Sequence, residues 1–163
     1  MRERQGDLAL ELNMKAYHYV DSGLDNVFIE GADFLADDAG EACILIRNVN
    51  GLHKAIAHGI VTRRSSMNGG ELRFLRSEMG MTQAELAELL HREALAVSRW
   101  ERGEIVIDGN AEAVVRLLAM ERLALPDRAG VQEIAGWCRP SAETPPIVID
   151  GRDPSNYQPK IAA

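Results

Sequence analysis

Residues 81–103 read Met81-Thr82-Gln83-Ala84-Glu85-Leu86-Ala87-Glu88-Leu89-Leu90, then His91-Arg92-Glu93, then Ala94-Leu95-Ala96-Val97-Ser98-Arg99-Trp100-Glu101-Arg102-Gly103. Thr82 and Glu85 have the spacing of a capping box. The Thr hydroxyl accepts from the Glu85 backbone N–H, and the Glu85 carboxylate reaches back to the N–H of Thr82. Leu86, Ala87 and Leu90 follow at helical spacing and define an inward face. His91 falls where a helix end favours a left-handed residue, and histidine is one of the less costly non-glycines there. In the next run Val97 and Trp100, three apart, point inward. Ala94, Leu95, Ser98, Arg99 and Arg102 fall on other faces, and Gly103 is a natural stop. Two short amphipathic helices joined by a tight turn are therefore expected, the geometry that lays one helix in a DNA major groove.

The pattern T-Q-A-E-L-A-x-L-L…V-S-R-W-E-x-G resembles the Cro/repressor-type (Xre) helix-turn-helix. The resemblance implies a homodimer on a palindromic operator in double-stranded DNA, and a DNA-contacting set of Thr82, Gln83, Arg92, Ala94, Leu95, Ser98, Arg99 and Arg102. Three departures from the family pattern shape that set. The first outward positions of the second helix are Ala94, Leu95 and Ala96 rather than polar readers. Glu93 replaces the usual Ser, Thr or Asp cap and caps less well. Arg92 stands where a small aliphatic is common. Base reading then falls to Arg99, with apolar contact from Ala94 or Leu95 to a thymine methyl. Thr82 and Gln83 are expected on phosphates.

Working outward, Asn68 heads a cap-like Asn68-Gly69-Gly70-Glu71, and Leu72, Leu75 and Met79 follow at helical spacing up to Gly80. Residues 104–107 read as a loop. Asp108 caps a longer helix over about 110–124, with Ala111, Val115 and Leu118 inward and Val114 and Leu117 on a flank suited to a dimer interface. Pro126 stops it. Residues 70–125 thus read as a helix-turn-helix domain, entered through a polar linker at 63–69.

Residues 14–62 read as a small α+β domain. Short β-rich runs occur at 27–30, 33–35 and 42–46, and Asn50 is expected to cap a helix over 51–61. Tyr17, Tyr19, Phe28, Phe34 and Leu45 are its expected core. Residues 1–13 form a charged extension. The proline-rich stretch 126–163 reads as a loosely ordered tail, with one or two helical turns at 131–137 and a strand-forming run at 146–151, which serves either as a docking segment or as part of a disordered tail. The fold class expected is mainly α, with a small α+β N-terminal domain and a C-terminal helix-turn-helix bundle of four to five helices.

This order of parts resembles the MqsA-like antitoxins, whose zinc-binding members carry Cys-x-x-Cys pairs near the N-terminus. Here that position reads Ala16-Tyr17-His18-Tyr19, and a four-thiolate site cannot be built from Cys43 alone. His18, Cys43, His53 and His58 are the remaining candidates. His53 and His58 do not share a helix face, so no metal and no cofactor are expected.

The 163 residues carry a net charge of −7, and residues 70–125 are also acidic on balance. That predicts modest nonspecific affinity for nucleic acid and the need for a defined site, with Arg92, Arg99 and Arg102 clustered at the second helix and Arg73 and Arg76 on the helix before it. No apolar run reaches the length of a membrane span and no secretory leader is evident. The two cysteines fit a reducing cytoplasm. No hydrolase, phosphate-loop or zinc-protease motif occurs, and Asp37-Asp38 reads as a solvated turn. The expectation is a non-enzymatic, cytoplasmic, sequence-specific repressor, antitoxin-like and autoregulatory, with a toxin as protein partner. The alternatives are a regulator whose N-terminal domain senses a small ligand, or an interaction module that no longer reads DNA.

Overall fold

The computed structural model describes residues 16–126, 129–141 and 143–160. The expected extension at 1–13 lies outside them. Among the described residues there are six helices and six strands.

The first three strands expected from sequence are present as β2 (Val27–Glu30), β3 (Asp33–Ala36) and β4 (Ala42–Leu45), preceded by the two-residue β1 (Tyr17–His18). They do not make one sheet. β3 and β4 form a separate hairpin, turned by Asp37, whose carboxylate accepts from the backbone N–H of Ala39 and Glu41. β2 instead pairs in parallel with β5 (Ile147–Asp150), aligning Val27 with Ile147 and Ile29 with Ile149. Antiparallel β1 and β6 (Gln158–Pro159) complete a sheet of order β1-β2-β5-β6.

The strand period of two puts Val27, Ile29, Ile147 and Ile149 on one face, all buried. That face is covered by α1 (Val49–Thr62), which buries Leu52, Ala55, Ile56, Ile60 and Val61. The approach is close at Gly59, where a Cβ would sit 3.0 Å from the Ile147 Cγ2 and 3.3 Å from the Pro159 Cβ. Asn48, not Asn50, caps this helix: its side chain accepts from the Gly51 N–H at 2.9 Å while donating to the Pro154 carbonyl. Of the five residues expected to form the local core, only Tyr19 is buried. Tyr17, Phe28, Phe34 and Leu45 are half-buried: Phe28 lies with His18 on the sheet face away from the helix, and Tyr17, beside Ile29, meets Phe34 of the hairpin edge-on.

The remaining helices are α2 (Gly69–Glu78), α3 (Gln83–Leu89), α4 (Ala94–Glu101), α5 (Gly109–Arg122) and α6 (Val131–Trp137). α6 packs on α5 through the fully buried Ile134. The expected fold class is therefore corrected. The helices do not close into a separate C-terminal bundle behind an N-terminal domain. They are inserted between two adjacent strands of one sheet, and α5 packs on α1 as well as on its neighbours. The proline-rich stretch expected to be a loose tail supplies β5, an interior strand, and its prolines sit at strand ends and connections, where no ladder hydrogen bond is lost.

A buried ion pair joins the two parts. Arg116 and Glu112 on α5 are both fully buried, and the Arg116 guanidinium donates to the Glu112 carboxylate at 2.8 Å. Its other N–H groups go to the backbone carbonyls of Val61, Arg63 and Ser65, the C-terminal end of α1 and the linker after it. Glu112 also accepts from the Ser66 hydroxyl and the Met67 N–H. Glu112 thus anchors the linker, and Arg116 satisfies carbonyls that α1 would otherwise leave bare. Close by, Glu71 is fully buried and takes both nitrogens of Arg63, the Asn26 amide and the Asn68 N–H.

Candidate nucleic-acid interface

α3 and α4 pack against each other across the turn Leu90–Glu93. The Thr82 capping box is complete: the Thr82 hydroxyl accepts from the Glu85 N–H at 3.1 Å, and the Glu85 carboxylate accepts from the Thr82 N–H at 2.7 Å. Hydrogen bonds to the carboxylate from the Thr82 backbone N–H, the larger effect, and from the Thr82 side chain hold the Glu85 carboxyl below its usual pKa. His91 takes φ 54°, the left-handed turn read from the sequence. Val97 and Trp100 are buried, as their spacing implies. The preceding helix α2 begins with a second complete box, Asn68 with Glu71. Gly69 is required there, since a Cβ would lie 2.3 Å from the Trp100 carbonyl oxygen.

The structure brings Ala94, Leu95, Ser98, Arg99 and Arg102 onto the outer surface of α4. Ala94, Leu95, Arg99 and Arg102 are exposed, Leu95 at 54%, and Ser98 is half-buried. Glu93 makes no side-chain cap bond, so the start of α4 is left open. The cations on this surface have acidic partners. Arg102 donates to Glu104 at 2.7 Å and to the Ser98 hydroxyl at 2.7 Å, and Arg99 lies a looser 3.9 Å from Glu104. Arg102 pulls the Glu104 carboxyl below its usual pKa, chiefly through that hydrogen bond, and its own pKa is raised in return. Arg92 points away along the turn and donates to Asp108 at 3.1 Å.

Two expected contributors are engaged inside the protein. Arg76 is not available to a ligand: its guanidinium grips Glu101 with two nitrogens and gives the third to the Met81 carbonyl. Gln83 is half-buried, and its amide donates to the same Glu101 at 2.8 Å. Glu101 thus ties α2, α3 and α4 together. Sequence reasoning missed it because its burial depends on Arg76, and nothing local to Glu101 marks that. Glu104 was more legible, standing two residues after Arg102 in a loop.

The histidines and the exposed cysteine do not converge. His18 stacks on Phe28, His53 lies between the Tyr19 hydroxyl at 3.1 Å and Glu78 at 2.9 Å, His58 is buried in α1, and Cys43 is on the exposed hairpin. Among the described residues no three His, Cys, Asp or Glu side chains gather as a metal site, and no helix is long and apolar enough to cross a membrane. Compared with known proteins, the chain matches no family model, no curated protein and no solved structure.

Proposed function

We propose that the protein is a sequence-specific DNA-binding regulator of the Cro/repressor helix-turn-helix type, acting as a homodimer on a palindromic operator. The observation that carries this reading is α4 itself: a short helix anchored by Val97 and Trp100, presenting Ala94, Leu95, Ser98, Arg99 and Arg102 outward beside the capped start of α3. A helix presented in this way can enter a major groove while the preceding element contacts the backbone. Arg99 is the base reader, because its ion pair with Glu104 is the loose one and exposed pairs cost little to break. Arg102, Arg92 and Thr82 contact phosphates. Gln83 contributes mainly by holding Glu101, and so the attitude of α3 to α4.

The acidic partners have a function in this reading. Glu104 competes with phosphate for Arg99 and Arg102, and with a net charge of −7 it lowers affinity for arbitrary DNA. Only a site that returns base contacts repays the exchange. The antitoxin part of the expectation gains no observation from the fold, so the proposal is operator binding. The exposed Leu95, Ile105 and Val106 favour a second reading, in which the same surface holds a protein.

Selection from a random duplex pool, followed by competition binding at fixed salt, tests this. The expected result is an enriched palindrome with half-sites about 34 Å apart, bound about a thousandfold or more above random DNA. A pool that stays random after repeated rounds would sink operator binding and leave the protein-binding reading.

A further inference from the structure

A cleft of about 600 Å³ opens where the end of α1 faces the start of β5. That volume suits a small organic molecule. Its walls include Pro145, Pro146, Pro159 and Ile147, and its charged lining residues are Arg63, Arg64 and Lys160, with no acidic side chain among them. Proline walls offer no N–H, so they recognise by contact alone. Of the hydroxyls at the rim, Thr62 donates to the His58 carbonyl, while Ser65 accepts from Arg63 and keeps its own O–H to offer an anion. The carbonyls of Val61, Arg63 and Ser65 are taken by Arg116, so they do not offset the positive charge.

The three cations are not equivalent. Arg63 is held by Glu71 and Lys160 pairs with Glu30. Arg64 is exposed and, among the described residues, has no acidic partner. In a chain of net charge −7, an apolar cleft whose charged lining residues are all cationic, with Arg64 free of an acidic partner among the described residues, is complementary to one chemical class. We propose that this cleft binds a small organic anion with a flat apolar body, an aromatic carboxylate or its like, with the carboxylate on Arg64 and the body between the prolines and Ile147. Guanidinium and carboxylate match as a charge-assisted, two-point contact. The site stands whether or not the helical unit binds DNA.

The test is an NMR titration of the full-length, isotope-labelled chain with 1-naphthoate, with uncharged 1-naphthamide and with inorganic phosphate. Naphthoate is expected to give saturable shifts clustered at Thr62–Ser65 and at Ile147–Val148. It should bind about tenfold or more tightly than either control, a factor equivalent to one good charged contact. Arg64→Glu should weaken naphthoate by a similar factor, leave naphthamide unchanged and keep the thermal midpoint. No saturable shift at millimolar naphthoate overturns the site. Equal binding of naphthamide or of phosphate overturns the ligand class, and an unaltered naphthoate affinity in Arg64→Glu overturns the role of Arg64.

Discussion

The helical insert and the sheet that holds it are built by different kinds of information. Between Asn68 and Arg102 each element is announced where it occurs: two complete capping boxes, a left-handed His91, and Val97 and Trp100 at helical spacing. The sheet carries no such local signal. Its two interior strands come from opposite ends of the described chain, and each has only four residues. A cap satisfies backbone groups within one turn and works in any context, whereas a strand is stable only once its partner is alongside. The lesson is that local signals located the helices without revealing that they are an insertion.

The contrast can be broken most sharply at the joint. Arg116→Ala leaves Glu112 charged and buried beside three bare carbonyls, and should cost about 3–5 kcal/mol. Urea unfolding followed by tryptophan fluorescence and by far-ultraviolet circular dichroism should give coincident transitions at a much lower midpoint, if insert and sheet form one cooperative unit. Two separated transitions would show that the regions fold independently. Next in size, Ile149→Ala removes a fully buried side chain where β5 packs on α1, and should cost about 2–5 kcal/mol. The loss should be felt at Trp100 as strongly as in the sheet. An insert that keeps its parental midpoint in this variant would refute the coupling.

Arg99→Ala asks what the insert does rather than whether it stands. It should remove about 1–3 kcal/mol of discrimination between operator and random DNA, with stability unchanged. Gln83→Ala should lower affinity for all sequences alike through a loosened Glu101, and preference should persist. Operator preference surviving in Arg99→Ala would move specificity to the apolar contacts or to DNA shape.

Thr82→Ala should cost about 1 kcal/mol, measured by urea unfolding, since the hydroxyl serves one backbone N–H. The smallest effect is an acid one, and each region has its own carboxylate. Glu85 in the insert is held below its ordinary 4.5 by the Thr82 bonds, and Asp150 in the sheet is lowered to about 2 by the Arg152 guanidinium. Both folded values lie below the unfolded ones. Each contribution is therefore fully present above the unfolded pKa and is lost as pH falls through the folded value. Unfolding midpoints measured from about pH 5 to pH 2 should fall less steeply in Glu85→Gln and in Asp150→Asn than in the parent. Glu85 is exposed and Asp150 is half-buried beside the exposed Arg152, so the differences should be small. An identical acid slope in either variant would show that its carboxylate carries no stability.

Much of the candidate interface was legible because its determinants are adjacent in the chain. The spacing of Val97 and Trp100 settles which side of α4 is inward, and therefore that Ala94, Leu95, Arg99 and Arg102 face out. What was not legible was engagement. Arg76 and Gln83 look from sequence like free polar groups, and only the packing of α2 on α4 shows that both are held by Glu101. The same holds for Glu112, whose carboxylate is buried because Arg116, one helical turn along, turns toward the end of α1.

By itself the sequence determined α2, α3 and α4, the caps of α2, α3 and α5, the turn between α3 and α4 and the inward residues Leu86, Ala87, Val97 and Trp100, because capping and helical periodicity act over three or four residues. Only the tertiary structure decided the parallel pairing of β2 with β5, the place of 147–160 in the sheet, the burial of Glu71, Glu112 and Arg116 and the cationic cleft at Arg64. Each of these depends on groups far apart in the chain, and a buried charge or a parallel strand becomes favourable only when its distant partner has arrived.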